Sequence, residues 1–476
     1  MKNPNTKNEN NSQKSSLNPI YKIFKIFTDI RPGEGLTTFL LTVNVYLLLL
    51  AYYIIKPVRE ALILAGKGAE IKSYLSAAMV ITLIPVIKSF SSLASKVSRQ
   101  VLIAWVTVFF ISNLVIFYLL SLGEIGLGTM GIIFFIWVGI FNVMVIAQFW
   151  GFANDIFTEE KGKRLFPLVA FGATFGALSG STVAGWLVEP IGVYQMMLVS
   201  GGVLGICILL TFLVHINELK HQSDKNKKKV SEKIQNQKEQ TKPLKKGGGF
   251  KFVFKKRYLI YLAFFVLLLN FINTNGEYIL GNIITSTSEK TVEGLITGNF
   301  LVKDLYGFYL VELIPKLIGN FYADFFSIVN LLTAIIQLFI VSRIFKWFGV
   351  RAAALILPFI ALGGYIFITF GATLAVIRWV KTLENSTDYS LMNTTRHALF
   401  LPTSREEKYK AKAAIDTFFH RAGDVFSALL VLAGTSLFAF KITGFAQFNI
   451  GLVLIWIFLG FLLIKEHKRL TQQKIQ

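Results

Sequence analysis

Apolar residues run along this chain in blocks of about twenty, divided by short charged punctuation, and that spacing governs the rest of the reading. Windows such as Val101–Leu120, Gly131–Ala147 and Ile450–Ile464 are long enough, or nearly so, to cross a bilayer core of ~30 Å at ~1.5 Å per helical residue. Read this way, windows at 36–56, 73–94, 101–121, 130–150, 166–187 and 193–214 predict helical spans before a polar centre. Windows at 258–280, 318–341, 351–370, 371–395, 412–438 and 445–465 predict as many after it. The expectation is an all-α polytopic membrane protein with about 12 transmembrane helices in two six-helix halves.

The polar segments frame this plan. Residues 1–35 are expected to form a disordered cytoplasmic N-terminus, polar over its first twenty positions and amphipathic over Ile20–Ile30. An N-terminal bundle over 36–214, a basic linker over 215–257, a C-terminal bundle over 258–465 and a tail over 466–476 complete the division. The linker is rich in Lys, Gln and Asn and reaches Gly247-Gly248-Gly249, a flexible composition. Hydrophobic residues make up 54% of the chain and charged ones 16%, below the ~25% of a soluble domain. The formal charge of +22 concentrates in the two ends and the linker. Basic residues gather on the cytoplasmic side, so both termini are expected there, in a cell inner (cytoplasmic) membrane. That distribution argues against a nucleic-acid partner, whose readout needs a folded context around the basic groups. The expected partners are the lipid bilayer and a small-molecule substrate, with the chain acting as a monomer. The single cysteine, Cys207, excludes a disulfide framework.

Two pairs of basic segments repeat at one offset. Thr158–Arg164 precedes the fifth window as Arg405–Lys410 precedes the eleventh, and Lys96–Arg99 corresponds to Arg343–Arg351. A duplicated six-span unit gives that pattern, with a midplane site between halves, which is the major-facilitator-like architecture.

Charged and amide side chains interrupt the apolar windows. An ionised group isolated in lipid costs ~3 kcal/mol or more, so each must be paired, solvated or functional. Residues three, four and seven apart share a helix face. Lys56 and Arg59, beside Glu60, make one polar flank; Asn270, Asn273, Thr274 and Glu277 make a second. Arg378, Lys381, Asn385 and Asp388 form a third, and Lys412, Asp416, His420 and Ser427 a fourth, with Asp424 at its edge. Structural readings compete: Lys56 and Arg59 snorkelling to headgroups, Arg378 pairing with Asp388, and His420 donating to a carbonyl. Gly172, Gly176 and Gly180 predict close helix approach. No phosphate-binding lysine loop, nucleophile elbow or metal-ligating histidine pair occurs, so no enzyme activity, cofactor or metal is expected.

At these residues the chain resembles the non-mitochondrial ATP/ADP translocases of plastids and intracellular bacteria. The resemblance rests on Tyr52–Leu62, Phe149–Ile156 with Lys163–Leu168, Asn273–Glu277, and Tyr389–Leu391 with Thr395, Arg396 and Lys412–Asp416. It implies a major-facilitator-like fold and exchange of organic phosphates, typically ATP for ADP. Together, the polar flanks and the resemblance lead us to expect substrate-binding roles for Lys56, Arg59, Asn154, Asp155, Asn273, Glu277, Arg378, Lys381 and Arg396. Coupling or gating would fall to Glu60, Asp388, Asp416, His420 and Asp424. Arg396-His397 and Gly423-Asp424 stand where well-studied members carry Lys-Glu and Gly-Lys. The second departure puts a carboxylate where the family has a cation. Three readings remain: a nucleotide exchanger working by alternating access, a proton-coupled carrier of another anionic metabolite such as NAD or an organic phosphate, and a membrane sensor without flux.

Overall fold

The computed structural model describes residues 34–226, 253–297, 306–404 and 411–473, apart from 95, 98, 124–125, 158 and 372. Its ordered backbone is helical, with no strand among the described residues. Helix α1 covers 35–67 and α2 covers 69–94; they meet at Gly68, whose φ of 78° breaks the run. Helices α3 (Arg99–Ser121) and α4 (Leu127–Ile156) follow. Helix α5 covers 159–191 and α6 193–226, divided at Gly192 with φ 79°. Only glycine takes that backbone region without strain, so these two residues turn the chain sharply where the windows predict short loops.

Beyond the linker come α7 (Arg257–Thr297) and α8, which is Tyr306–Ile335 continued through a π turn at Ile336–Ile340 into Val341–Trp347. Helix α9 is Gly349–Phe370. Helix α10 runs from Leu374–Thr387 through a π turn at Asp388–Met392 to Asn393–Leu399. Helix α11 runs from Lys412–Ala414 through a second such turn at Ile415–Phe419 to His420–Ser436. Helix α12 is Ile442–Gln473.

Among the described residues, eight stretches are long and apolar enough to cross a membrane, including Gly35–Phe90 and Arg164–Val214, each of which folds back at its glycine turn. Large apolar side chains such as Ile81, Trp105, Phe212, Phe370 and Phe458 face outward. An outward apolar belt suits hydrocarbon solvent, which leaves the inside to hold the polar groups.

Three expected boundaries shift. Helix α6 continues to Asn226, past the expected linker start at 215, because no Gly or Pro interrupts His215–Asn226. Helix α12 likewise carries through the expected tail to Gln473. The stretch 285–318, expected to be an external lid, is the end of α7 and the start of α8; 298–305 lie outside the described residues. So do the N-terminal amphipathic segment and linker positions 227–252.

The predicted close approach is present and occurs in both groups of six helices. A Cβ on Gly176 of α5 would collide with the Tyr46 carbonyl oxygen of α1, and one on Gly180 would lie 2.6 Å from the Leu50 carbonyl. In the second group, a Cβ on Gly423 of α11 would lie 2.7 Å from the Phe271 nitrogen of α7. In each group the fifth helix therefore packs on the first through a glycine, as a duplicated unit requires.

Candidate functional site

A cavity of about 220 Å³ lies between the first six helices and the last six. Helix α1 supplies Lys56, Arg59 and Glu60, spaced three and four apart on one face. Helix α2 adds Lys72 and Ser76, α4 adds Phe135 and Asn142, and α7 adds Asn273, Thr274 and Glu277. Phe326 of α8, Tyr389 of α10 and Arg421 and Asp424 of α11 close the wall. Lys56 is 12 residues before the Gly68 turn, or ~18 Å along the helix, so the cavity sits deep within the spans.

Glu60 is buried and pairs with its neighbour Arg59; its other oxygen is 2.7 Å from Lys72 Nζ. Lys72 also reaches across to Glu277 Oε2 at 4.0 Å. The opposite oxygen of Glu277 accepts from Asn385 Nδ2 at 3.0 Å and is 3.8 Å from Lys381 Nζ. Lys381, 1% exposed at its side chain, is held by Glu384 at 3.1 Å and donates to Asn273 Oδ1 at 2.8 Å. A continuous series of charges thus runs from Arg59 through Glu60, Lys72, Glu277 and Lys381 to Glu384. Each member is compensated, as desolvated ions must be.

Lys56 is different. Its ammonium stands 3.8 Å from the centroid of the Phe326 ring, 4.9 Å from that of Tyr53 and 6.0 Å from that of Tyr389. No carboxylate among the described residues lies within ion-pair distance. The snorkelling alternative does not apply, since this residue is buried in the cavity wall. Arg59 also lies over a ring, 4.9 Å from the centroid of Phe135.

On the far wall, Asp424 Oδ1 accepts from Asn270 Nδ2 and from Thr274 Oγ1, both at 2.8 Å. Arg421 Nη1 lies 3.3 Å from its other oxygen. The carboxylate that departs from the family pattern therefore brings its own cation into the cavity. Lys56, Arg59, Lys72 and Arg421 face Glu60, Glu277 and Asp424, leaving positive charge in excess.

The structure gathers Lys56, Arg59, Glu60, Asn273, Glu277 and Asp424 around one space, with Lys381 directly behind Glu277. The remaining expected site residues lie outside it. Arg378 stacks 5.5 Å from the Phe321 ring centroid, and no ion pair joins it to Asp388 among the described residues. Asn154 is exposed near the end of α4, 12 residues past Asn142, and the side chain of Asp155 lies outside the described positions. Arg396 is on the last segment of α10, and Asp416 pairs with Lys412 on its own helix. His420 contributes its backbone carbonyl, which accepts from Asn270 Nδ2 at 2.7 Å.

Several wall residues escape the sequence reading. Lys72 falls one position before the window at 73–94, because a hydropathy window stops at a charge. Asn142 is a lone amide in an apolar run, and Phe326 and Tyr389 look like ordinary hydrophobic residues. Arg421 is expected only as one of four cations, with Arg378, Lys381 and Arg396, that offset the charge of Asp424; of these it is the one that lines the cavity. For Phe326 no local signal exists; Tyr389 begins the Tyr389–Leu391 block of the resemblance but is given no role, and for Lys72 the four-residue distance from Gly68 was the available one.

Polytopic apolar helices enclosing one ionised chamber between two bundles define a multi-pass membrane protein of the carrier type. The chain belongs to the Major Facilitator Superfamily, whose family model matches residues 35–382. Residues 371–467 match the model described as TLC ATP/ADP transporter. ADP,ATP carrier protein 1 of Chlamydia pneumoniae is 25% identical over 320 residues, covering 61% of this chain and 57% of the carrier. ADP,ATP carrier protein 2, chloroplastic, of Arabidopsis thaliana is 25% identical over 324 residues, 61% of this chain and 46% of that protein. The chain therefore spans about half the length of the curated relatives it matches. The resemblance read from the motifs holds, and this is a divergent relative of proteins that are carriers rather than enzymes. A crystal structure of a POT family transporter in complex with 5-aminolevulinic acid aligns with a TM-score of 0.57 at 12% identity, covering 91% of this chain and 96% of that one. It supports the fold alone.

Proposed function

We propose that the protein is a secondary-active transporter that exchanges nucleotides, ATP for ADP in type, by alternating access of the chamber to the two membrane faces. The observation that carries this reading is Lys56, a buried ammonium with rings around it and no carboxylate at ion-pair distance among the described residues. Such a charge calls for an anionic ligand. Arg59 and Arg421 add guanidinium forks suited to phosphate oxygens. Phe326, Phe135 and Tyr389 add flat apolar surface beside those cations, which suits a base. Kinship with ADP,ATP carriers supports the same assignment.

In this reading Lys56, Arg59 and Arg421 bind phosphate, Asn273 and Thr274 contact polar groups of the ligand, and Glu60, Glu277 and Asp424 order the cations. The two bundles rock about the bound nucleotide. The chain works as a monomer in the cytoplasmic membrane, with its basic ends and linker inside.

The test is uptake of labelled ATP and ADP into proteoliposomes with and without nucleotide inside. Trans-stimulated uptake supports exchange; uptake indifferent to internal nucleotide overturns it. Asp424 favours a second reading, since three carboxylates in the chamber lower its attraction for a highly charged triphosphate. That reading is a proton-coupled carrier of another anionic metabolite, such as NAD or an organic phosphate. Uptake driven by an imposed proton gradient with empty vesicles would select it.

A further inference from the structure

The geometry points to Lys72 and Glu277 as a latch that holds the chamber shut on the side of the Gly68 and Gly192 turns until an anionic ligand takes the place of Glu277 at Lys72. This rests on the proposed nucleotide site, because the ligand that would open the latch is the one bound there.

Polar contacts between the two helix groups, among the described residues, occur toward the Gly192 turn and again past the chamber on its other side. Asn320 of α8 donates to Glu189 Oε1 of α5 at 2.5 Å, and Lys316 lies 3.5 Å from the other oxygen. Thr182 and Ser327 share a hydrogen bond of 2.8 Å, and Asn330 Nδ2 donates to the Ala177 carbonyl at 3.1 Å. Most of these are neutral or exposed. The contact from Lys72 to Glu277 is unlike them, since it joins two full charges within the chamber wall.

The two partners are unequally held. Lys72 keeps Glu60 at 2.7 Å whatever Glu277 does. Glu277 has one oxygen turned to Asn385 and Lys381, both in its own half, and the other turned across the gap to Lys72. It is 23% exposed at its side chain against 9% for Lys72 and 1% for Lys381, so it is the member open to the cavity. An anion arriving at Lys56 and Arg59 enters the same space and competes with Glu277 for Lys72. Glu277 then falls back on Lys381 and Asn385, and the α2–α7 contact is released with no charge left alone. Without the anion, separation forfeits the Lys72–Glu277 attraction in a wall of low dielectric and gives Lys72 nothing in exchange, which opposes opening. An empty protein therefore rests closed on this side. Uptake from this side then requires a returning ligand, which is how exchange becomes obligatory.

The experiment measures the distance between spin labels at Glu70→Cys, exposed at the start of α2, and Lys290→Cys, exposed near the end of α7, with the buried Cys207 replaced by Ser. Without ligand, Lys72→Gln is expected to add a longer-distance population. Lys72→Arg and Lys381→Gln are expected to leave the distance short, since one keeps the charge and the other leaves the cross-contact in place. A short distance in Lys72→Gln overturns the latch, and so does equal widening in Lys72→Gln and Lys381→Gln, which would mean general loosening. Adding ADP to the unmutated background is expected to widen the distance; ADP that binds without widening it overturns the ligand trigger. ADP that does not bind at all contradicts the nucleotide reading, while the ligand-free variants still decide the latch.

Discussion

Lys56 of α1 rests its ammonium 3.8 Å from the centroid of the Phe326 ring, so a charge from one half is seated on an aromatic face of the other. A desolvated cation–π contact contributes about 2 kcal/mol, and it fixes where the ammonium points. In the proposed reading the ring therefore positions the charge that meets the ligand. Phe326→Leu is expected to raise the apparent KM for nucleotide about 3–10-fold, which corresponds to ~0.7–1.4 kcal/mol, while Phe326→Tyr stays close to the parent. Initial-rate uptake against substrate concentration measures both.

Asp424 draws Arg421 to itself at 3.3 Å and, under the proposed function, withholds part of that cation from the ligand. Asp424→Asn keeps a side chain of the same shape beside Asn270 and Thr274 and removes the charge. At an effective dielectric of about 20, a unit charge some 8 Å from one phosphate charge is worth about 2 kcal/mol. The apparent KM for ATP should fall about 5–30-fold in Asp424→Asn, and further in Asp424→Lys, with a smaller fall for a nucleoside monophosphate. Equal changes for both ligands would place the phosphates away from α11.

Gly176 and Gly423 each let a fifth helix lie against a first helix at backbone distance. Gly176→Val or Gly423→Val pushes side-chain atoms into a packed backbone, where overpacking costs about 1–3 kcal/mol or more. Gly202 of α6, where an added Cβ meets nothing within 4 Å, is the control. Melting of detergent-solubilised protein should show both valine variants clearly below the parent and Gly202→Ala unchanged.

Residues that share a helix with the site without facing it should matter less. Asp416 pairs with Lys412 at partly exposed positions, an arrangement worth up to about 1 kcal/mol. Asn154 is exposed at the end of α4. Asp416→Asn and Asn154→Ala are expected to keep nucleotide KM within about twofold, as 1.4 kcal/mol is needed for a tenfold change. The same uptake assay checks this.

The fold was largely legible because hydrocarbon imposes length and composition on every span, and the basic segments repeat at one offset along the sequence. Lys56, Arg59, Glu277 and Asp424 were legible for a related reason: an ion in an apolar window stands out. Which of them meet was not. That depends on rotation about each helix axis and on depth, and the π turns at 388–392 and 415–419 shift the register of α10 and α11 after the point where a 3.6-residue face is projected. Asp388 and Asp416, within those turns, were expected at the site and lie outside the cavity; Arg378 lies outside it too, but it precedes the first turn, so the rotation of α10 alone places it against Phe321. Tyr389, inside one of those turns and given no role, reaches the cavity. Lys72 was missed because the Gly68 turn consumes almost no chain, which places a charge at 72 within the wall rather than in a loop.

The central claim is that Lys56 is held uncompensated for the phosphates of a nucleotide. Equilibrium binding of radiolabelled ADP to the purified protein and to Lys56→Gln tests it most directly. The account predicts saturable binding that weakens at least tenfold in Lys56→Gln while its melting temperature in the absence of ligand holds, because relief of an unpaired buried charge offsets the lost contact with the Phe326 ring. Equal affinity in the two proteins would contradict it.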